Sequence, residues 1–230
     1  MSVELVVFDM AGTTVYDGDA VNVCLRAALE AAGTVVTRDA VNAVMGIAKP
    51  LAIRMLLEVQ RNGAVVSEAE VDRIHADFLA RMLAYYREDP AVREVEGASE
   101  TFRSLRQAGI KLALDTGFSR PIVDVILDRL GWRETDLIDA TVASDEVAHG
   151  RPHPDLIYRA MELTGVTDVS RVAKVGDTPS DLNEGFAAGC GWIIGVTQGS
   201  HTAEQLCGHP HTHLVPTVTD LIPLFFASIT

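Results

Sequence analysis

Four short stretches of this chain carry side chains that could act together on a phosphoryl group. In chain order they are Asp9-Met10-Ala11-Gly12-Thr13, Thr116-Gly117, Gly150-Arg151-Pro152, and Gly176-Asp177-Thr178 followed by Asp181. Carboxylates, a hydroxyl group, an arginine and a divalent ion are what phosphoryl transfer requires. The sequence therefore predicts phosphoryl chemistry, provided that the fold brings the four stretches together.

Three of these stretches follow apolar runs that are typical of buried strands, at 5–8, 112–114 and 172–175. In an open parallel sheet, the residues just past the carboxyl ends of the strands line the ligand crevice. We therefore expect Asp9, Thr116 and Asp177 to converge there. Arg151 lies in a loop ahead of a helix and would bring a fixed positive charge to the same place.

Each side chain has a specific chemical use at such a site. Asp177 and Asp181 offer hard oxygen ligands on two elements, which suits Mg²⁺. The guanidinium of Arg151 can grip a phosphoryl group through two donors, and the hydroxyl of Thr116 can donate to a phosphoryl oxygen. The simpler interpretations stay open: Asp9 as a turn residue, Asp181 as a first-turn acid of a helix, and Arg151 as a surface charge.

Lys49 is one of only three lysines in the chain, and it has apolar neighbours on both sides. Pro50 is well suited to the first position of a helix and disfavours helical geometry at Lys49. The ammonium group would then lie at the positive end of a helix dipole in apolar surroundings, and both effects lower its pKa. This predicts a nucleophilic amine, with a surface lysine beside a helix start as the alternative.

Strand-like runs recur at 3–8, 110–115, 137–143, 171–176 and 192–196, with helical patterns between the later ones. This alternation predicts an α/β fold with a doubly wound parallel sheet. The exception is a stretch of helical segments near 20–32, 37–45, 51–61 and 67–88. We expect a catalytic core of residues 1–14 and 96–230, and a helical cap domain of residues 15–95 that covers the crevice.

The composition narrows the class of protein. The 230 residues are 48% hydrophobic, which is ample for a buried core, and the net charge of −13 disfavours nucleic acid or an anionic membrane as a partner. The three cysteines lack the spacing of a disulfide framework or a zinc site, and no apolar run is long enough to span a membrane. We expect a cytoplasmic protein, and we interpret His209-Pro-His211-Thr-His213 as a polar loop before the last strand.

The four stretches, in this order and with a helical insert after the first, resemble the motifs of the haloacid dehalogenase superfamily. The resemblance spans the chain and implies a Rossmann-like core that hydrolyses small phosphorylated substrates with Mg²⁺. The catalytic residues it implies are Asp9, Lys49, Thr116, Arg151 and Asp181. The substrate-binding positions it implies are Gly12, Thr13, Gly46 and Gly117, and the metal-binding positions are Asp9, Ala11 and Asp177.

Most phosphatases of the superfamily carry a second Asp two residues after the nucleophile and a Lys in the third motif, whereas this chain has Ala11 and Arg151. These two changes, together with the lysine of Met45-Gly46-Ile47-Ala48-Lys49, resemble the phosphonatase branch. That resemblance implies an aspartyl-phosphate at Asp9 and a Schiff base at Lys49. The implied reaction is cleavage of the carbon–phosphorus bond of phosphonoacetaldehyde or a related 2-oxo-phosphonate.

The chain departs from the phosphonatase pattern at Ala52, where the branch has a His three residues after the lysine. Tyr16 or Asp19 is then the expected source of proton transfer. Two other functions stay open: a phosphomonoesterase similar to phosphoglycolate phosphatase, with Lys49 as a bystander, and a non-enzymatic, phosphorylatable, Mg²⁺-binding regulatory module. The expected partner is a small phosphonate or phosphate, and a homodimer is left open.

Overall fold

A computed structural model of the protein describes residues 3–226, and it is built around one six-stranded sheet. All strands are parallel, in the order β3-β2-β1-β4-β5-β6. The strands are β1 (Leu5–Asp9), β2 (Lys111–Asp115), β3 (Ala140–Val142), β4 (Val172–Gly176), β5 (Trp192–Val196) and β6 (His213–Val215). The predicted α/β class with a doubly wound parallel sheet is confirmed.

Helices cover both faces of the sheet, which is why most residues of the strands are apolar. Along β1, Val6 and Phe8 belong to one buried cluster, and Leu5 and Val7 belong to a second cluster on the opposite face. The helices outside the insert are α5 (Ala98–Gln107), α6 (Arg120–Arg129), α7 (Asp155–Thr164), α8 (Pro179–Ala188), α9 (Ala203–Leu206) and α10 (Leu221–Phe226). The first cluster includes residues of α5, α6 and α10, and the second includes residues of α7, α8 and α9.

Four helices follow β1 and form the helical insert. They are α1 (Ala20–Ala31), α2 (Arg38–Asn42), α3 (Lys49–Gln60) and α4 (Glu68–Glu88), and α4 packs against α1 and α3. Side-chain caps fix two of the starts, because Thr37 accepts from the amide of Ala40 and Ser67 accepts from the amide of Glu70. Helix α2 is shorter than predicted, since the chain leaves it through a turn that ends at Gly46, where φ is 81°.

Helix α3 begins at Lys49, one residue before the predicted start. Ala48 is extended, with φ −56° and ψ 132°, and its carbonyl oxygen accepts from the amide of Ala52 at 3.0 Å. Pro50 then occupies the first turn, where a missing N–H costs no hydrogen bond. Proline disfavours helical backbone geometry at the residue before it, but this is only a preference. Lys49 nevertheless adopts helical geometry here as the first residue of α3.

Helix α8 carries Asp181 in its first turn. Thr178 accepts from the amide of Asp181 and in return Asp181 accepts from the amide of Thr178, so the start is a reciprocal capping box. The helix ends at Gly189, where φ is 80°. The prediction for the histidine-rich segment needs one correction: His213 is the first residue of β6 instead of a loop residue, and its ring stacks on Trp192 at a centroid distance of 5.1 Å.

The chain enters and leaves the insert through two adjacent segments, which we call the stem. The amide of Tyr16 donates to the carbonyl oxygen of Arg93 at 3.0 Å, and the amide of Val95 donates to that of Thr14 at 2.9 Å. These bonds pair the two segments in antiparallel orientation. The insert is therefore connected to the sheet at one place, close to the carboxyl end of β1.

Candidate active site

A small cleft with a volume of about 40 Å³ lies at the carboxyl ends of β1 and β2, between the sheet and the insert. The residues outside the insert that line it are Asp9, Ala11, Gly12, Thr116, Gly117, Phe118, Thr178 and Ser200. From the insert and its leading segment come Asp17, Val21, Met45, Gly46 and Lys49. The structure thus brings together residues from the first, second and fourth predicted motifs, and it adds Lys49 to them.

Three buried carboxylates meet at the edge of the cleft. One oxygen each from Asp9, Asp177 and Asp181 lies within 4.8 Å of the others. Asp9 is the last residue of β1, Asp177 directly follows β4, and Asp181 lies in the first turn of α8. Parallel strands that end at the same edge produce this convergence, as the sequence predicted.

Asp177 is held by three donors. The hydroxyl of Thr13 donates to its Oδ1 atom at 3.1 Å, and the amide and hydroxyl of Ser200 both donate to Oδ2 at 2.7 Å. Gly12 lets the backbone of the first motif lie close to the Asp177 carboxylate, because a Cβ atom at position 12 would lie 2.5 Å from Asp177 Oδ2. Substrate binding by Thr13 stays a prediction, since its hydroxyl donates to Asp177 here.

Sequence reasoning missed Ser200. A signal was present, because Ser200 belongs to the Gly-Ser pair in the loop that follows β5, at the same edge of the sheet as Asp177.

Burial and the repulsion of a neighbouring carboxylate raise the pKa values of Asp9 and Asp177. Burial, followed by the charge of Asp181, raises the pKa of Asp9 to about 8. The same two causes raise the pKa of Asp177 to about 6. In addition, Asp181 Oδ1 is buried, and its near neighbours include Arg151 at 2.9 Å and Lys174 at 3.3 Å. A hard divalent cation fits at Asp9 and Asp177, because the raised pKa values of both groups indicate a shortage of positive charge and both offer carboxylate oxygens.

Arg151 lies behind Asp9 and is 1% exposed. Its Nη1 atom donates to Asp9 Oδ1 at 2.6 Å and to the carbonyl oxygen of Gly46 at 3.3 Å, and it lies 2.9 Å from Asp181 Oδ1. Its Nε atom donates to Glu184 at 2.8 Å, and its Nη2 atom donates to both the carboxylate and the carbonyl oxygen of Asp115. Every nitrogen of the guanidinium therefore has a protein acceptor, and the predicted grip on a phosphoryl group stays a prediction.

Lys174 is a second buried cation in this region, and sequence reasoning gave it no role. It lies inside β4, is 0% exposed, and forms ion pairs with Asp115, with Asp181 at 3.3 Å and with Glu184 at 3.1 Å. A lysine in the middle of the apolar run 172–176 was the available signal, because a charge buried in a strand needs buried partners.

Asp115 and Glu184 respond to these cations in opposite ways. Burial alone would raise the pKa of Asp115, but Arg151 and Lys174 outweigh it and lower that pKa. Burial, followed by the charge of Asp115, raises the pKa of Glu184 to about 8. Asp115, Asp181 and Glu184 also lie close together, but Arg151 and Lys174 already supply their counter-charges. Of the two trios, the one that includes Asp9 and Asp177 is therefore the candidate that could hold a metal ion.

Lys49 lies in the cleft and is 4% exposed. Its Nζ atom donates to the carbonyl oxygen of Ile47 at 3.2 Å and lies 5.4 Å from the centre of the Phe118 ring. Burial lowers its pKa from 10.5 to about 8, and Arg151 adds to this, while Asp9 and Asp17 act in the opposite direction. Within residues 3–226, Lys49 forms no ion pair, which leaves its amine available to the cleft.

The predicted glycines lie where the insert contacts the rest of the protein. A Cβ atom on Gly46 would overlap the hydroxyl of Thr178, and a Cβ atom on Gly117 would lie 2.6 Å from the carbonyl oxygen of Ile47. Next to Gly117, Thr116 is 3% exposed and its hydroxyl accepts from the amide of Phe118 at 3.1 Å. These glycines allow backbone of the insert to approach backbone at the carboxyl end of β2.

The two side chains expected to replace the missing His have other contacts. Tyr16 is 39% exposed and stacks under the guanidinium of Arg93, and Asp19 pairs with Arg38 at 2.9 Å. Neither of them lines the cleft that contains Lys49, whereas Asp17, which lies between them in the chain, does. Sequence reasoning missed Asp17, because the backbone geometry of the turn decides which of its residues lines the cleft.

The family model described as haloacid dehalogenase-like hydrolase matches residues 3–189. The chain is 33% identical over 217 residues to the phosphonoacetaldehyde hydrolase of Bacillus cereus strain AH187, covering 87% of this chain and 78% of that protein. It is 34% identical over 216 residues to the phosphonoacetaldehyde hydrolase of Lysinibacillus sphaericus, covering 87% and 77%.

Solved structures share the fold. A phosphonoacetaldehyde hydrolase-like protein from Oleispira antarctica superposes with a TM-score of 0.85 at 22% identity, covering 99% of this chain and 92% of that one. Among the described residues, no helix has the length and apolar character needed to cross a membrane. The motifs, the fold and the match over residues 3–189 agree, and the chain belongs to the haloacid dehalogenase-like hydrolases.

Proposed function

We propose that this protein hydrolyses the carbon–phosphorus bond of phosphonoacetaldehyde or a related 2-oxo-phosphonate. The observation that carries the proposal is the pair formed by Lys49 and Asp9, which line one cleft from opposite sides. An amine whose pKa is lowered to about 8 and that has no ion pair is suited to attack an aldehyde or ketone. A phosphate ester offers no carbonyl group for such an amine to use.

Carbon is a poor leaving group from phosphorus unless a neighbouring group accepts the electron pair of the broken bond. In the proposed reaction Lys49 forms an iminium with the carbonyl carbon of the substrate and releases water. The carboxylate of Asp9 then attacks phosphorus, the carbon–phosphorus bond breaks, and its electron pair moves toward the iminium nitrogen to give an enamine. Water hydrolyses the aspartyl-phosphate, and protonation and hydrolysis of the enamine release the carbonyl product and free Lys49.

Ala11 supports this assignment through what it lacks. A leaving alkoxide is helped by a nearby acid, but a carbon that departs as an enamine needs an electron sink more than a proton. Ala11 lines the cleft two residues after Asp9, and a methyl group cannot donate a proton. The site is therefore better suited to carbon–phosphorus cleavage than to ester hydrolysis.

Asp9 and Asp177 would hold Mg²⁺, with the chain at Ala11 nearby and Asp181 as a third carboxylate close to both. When bound, the ion would neutralise charge on the phosphoryl oxygens. Thr13 and Ser200 fix the direction of the Asp177 carboxylate, and Arg151 fixes that of Asp9. These contacts orient the nucleophile before substrate binds.

The test is to trap the imine with borohydride in the presence of phosphonoacetaldehyde and Mg²⁺. We expect reduction to add the mass of the substrate-derived carbon chain to the peptide that contains Lys49, and turnover to be lost in Lys49→Arg. Lys111→Arg is the matched control, because Lys111 has a 52% exposed side chain at the start of β2 and pairs with Asp139.

The competing function is phosphomonoester hydrolysis, which is favoured by the absence of the family's His at Ala52. Rapid release of phosphate from simple esters by Lys49→Arg, with no adduct on Lys49 in the unmutated protein, would establish that function and overturn the proposed one.

A further inference from the structure

We propose that Asp17 is the acid–base residue that moves protons to and from Lys49 and the substrate carbonyl group while the imine forms. This inference rests on the carbon–phosphorus hydrolase function proposed above. It assigns proton transfer to a carboxylate in the segment that leads into the insert, at the mouth of the same cleft.

The position of Asp17 is fixed by backbone contacts. Its Oδ1 atom accepts from the amide of Val21 at 3.1 Å, and its carbonyl oxygen accepts from the amide of Ala20 at 2.9 Å. Both contacts are to the first turn of α1, so the carboxylate is held as a cap on that helix. Asp17 lines the cleft together with Lys49, and the backbone amides of Asp19 and Val21 hold its carboxylate in place.

Asp17 and Lys49 line the same cleft without forming an ion pair with each other. The two side chains influence each other electrostatically. A direct ion pair would hold the proton on Lys49 and block the amine. Without that ion pair, a carbonyl group bound in the cleft can exchange protons with both groups.

The other titratable groups near Lys49 are less suited to this task. In the proposed reaction the Asp9 carboxylate attacks phosphorus, and Arg151 donates to it at 2.6 Å. The charge of Lys49 acts on His75 of α4, but His75 does not line the cleft. Asp17 is therefore the one carboxyl group of the cleft, among the described residues, that is free of the metal trio.

The electrostatic surroundings keep Asp17 near its point of titration. Burial raises its pKa to about 6, with Asp19 adding to this and Lys49 opposing it. The titratable groups that face Asp17 are Lys49 of α3, Asp19 ahead of α1, Cys24 of α1, and Tyr85 and Tyr86 of α4. Burial raises the pKa of both tyrosines, so they stay neutral near pH 7 and do not titrate with Asp17.

The proton movements balance. The Asp17 carboxylate takes one proton from the Lys49 ammonium, and the neutral amine attacks the carbonyl carbon while Asp17 returns that proton to the carbonyl oxygen. Asp17 then takes a proton from the nitrogen of the resulting adduct and gives it to the hydroxyl group. That group leaves as water as the carbon–nitrogen double bond forms. One ammonium and one carbonyl have become one iminium and one water, and Asp17 is again a carboxylate.

The test compares Asp17→Asn with the unmutated protein and with Asp19→Asn. An asparagine oxygen can still accept from the amide of Val21, so the cap on α1 is retained. The measurement is the rate at which borohydride traps an adduct on Lys49 with phosphonoacetaldehyde, at pH values from 5 to 9. General acid–base catalysis contributes about 10² to 10⁴ in rate, so we expect Asp17→Asn to slow trapping about a hundredfold or more and to lose the acidic limb near pH 6. Asp17→Glu should restore part of the rate.

Asp19→Asn is the matched control, because Asp19 pairs with Arg38 and does not line this cleft. Normal trapping in the unmutated protein, with an unchanged rate and pH profile in Asp17→Asn, would overturn the role of Asp17 and leave the proposed function standing. An absence of adduct in the unmutated protein would overturn both.

Discussion

Gly117, at the carboxyl end of β2, lies so close to Ile47 of the insert that a Cβ atom at position 117 would stand 2.6 Å from the carbonyl oxygen of Ile47. The same hypothetical atom would stand 2.7 Å from the carbonyl oxygen of Gly46. Both neighbours are backbone atoms, which cannot move aside as a flexible side chain can. The contact of the Gly46-Ile47 backbone with the carboxyl end of β2 thus depends on the absence of one methyl group.

We therefore predict that Gly117→Ala holds the insert away from the sheet. Its backbone conformation is one that alanine tolerates, so the free energy of unfolding should change little. The value of kcat/KM should fall about tenfold or more, because Lys49 no longer reaches the position it occupies here. Gly150→Ala is the matched control, since its Cβ atom would meet Ala48 at an ordinary 3.5 Å. Equal kcat/KM values in the two variants would contradict the prediction.

Lys49 should cost the protein stability at neutral pH. Its pKa is lowered from 10.5 to about 8, so the unfolded chain binds more protons than the folded one between these values. The contribution of Lys49 to the free energy of unfolding is therefore lowest below pH 8 and rises as the pH approaches 10.5. Lys49→Met should therefore raise the free energy of unfolding at pH 7, by something on the order of 2–3 kcal/mol. Urea unfolding at pH 7, 8.5 and 10 should show the gain shrinking; a loss of stability at pH 7 would refute it.

Lys174 should be required for folding stability because three carboxylates surround it. Removing one partner of a buried ion pair leaves uncompensated charge and costs about 3–5 kcal/mol, so Lys174→Met should lower the free energy of unfolding by that amount. Adding Glu184→Gln removes one of the stranded charges and should recover part of the loss. Lys111→Met, at an exposed lysine, should stay within about 0.5 kcal/mol. Additive effects in the double variant would show that Lys174 and Glu184 are not coupled.

Mg²⁺ should stabilise the folded protein. At an ion concentration a hundredfold above the dissociation constant, the gain is about 2.7 kcal/mol. Because protons compete at Asp9 and Asp177, whose pKa values are about 8 and about 6, the rise in Tm should weaken as the pH falls from 8 to below 6. The substitution Asp177→Asn should abolish this rise in Tm. The control Asp136→Asn, at an exposed position, should leave the rise unchanged. A rise in Tm with Mg²⁺ in Asp177→Asn would rule out the metal position.

The sequence predicts the elements well where a local pattern suffices. The start of α8 at Thr178 and its end at Gly189 follow from capping chemistry, and the convergence of Asp9 with Asp177 follows from parallel strands that end at one edge. The four helices of the insert also appear near their predicted bounds. In each case the determining interactions lie within a few residues or within the sheet itself.

The buried charge network could not be predicted in this way. Arg151 contacts Asp115, 36 residues away, and Asp9, 142 residues away, and the sequence carries no sign of which acids it meets. The sequence suggested that its donors would hold a phosphoryl group, whereas in the structure they hold carboxylates and a carbonyl oxygen of the insert. Asp115, which had no assigned role, pairs with both Arg151 and Lys174. Long-range pairing of this kind is a property of the packed fold.

The stem has a consequence for how substrate choice and chemistry are divided. Two hydrogen bonds, from Tyr16 to Arg93 and from Val95 to Thr14, join the segments on either side of the insert. Because both points of attachment are adjacent, the sheet with Asp9 needs nothing from the interior of the insert in order to complete its own strands. We therefore expect that a different set of helices on the same stem would present a different group to Asp9, provided that these helices also cover the face of α6 against which α4 packs.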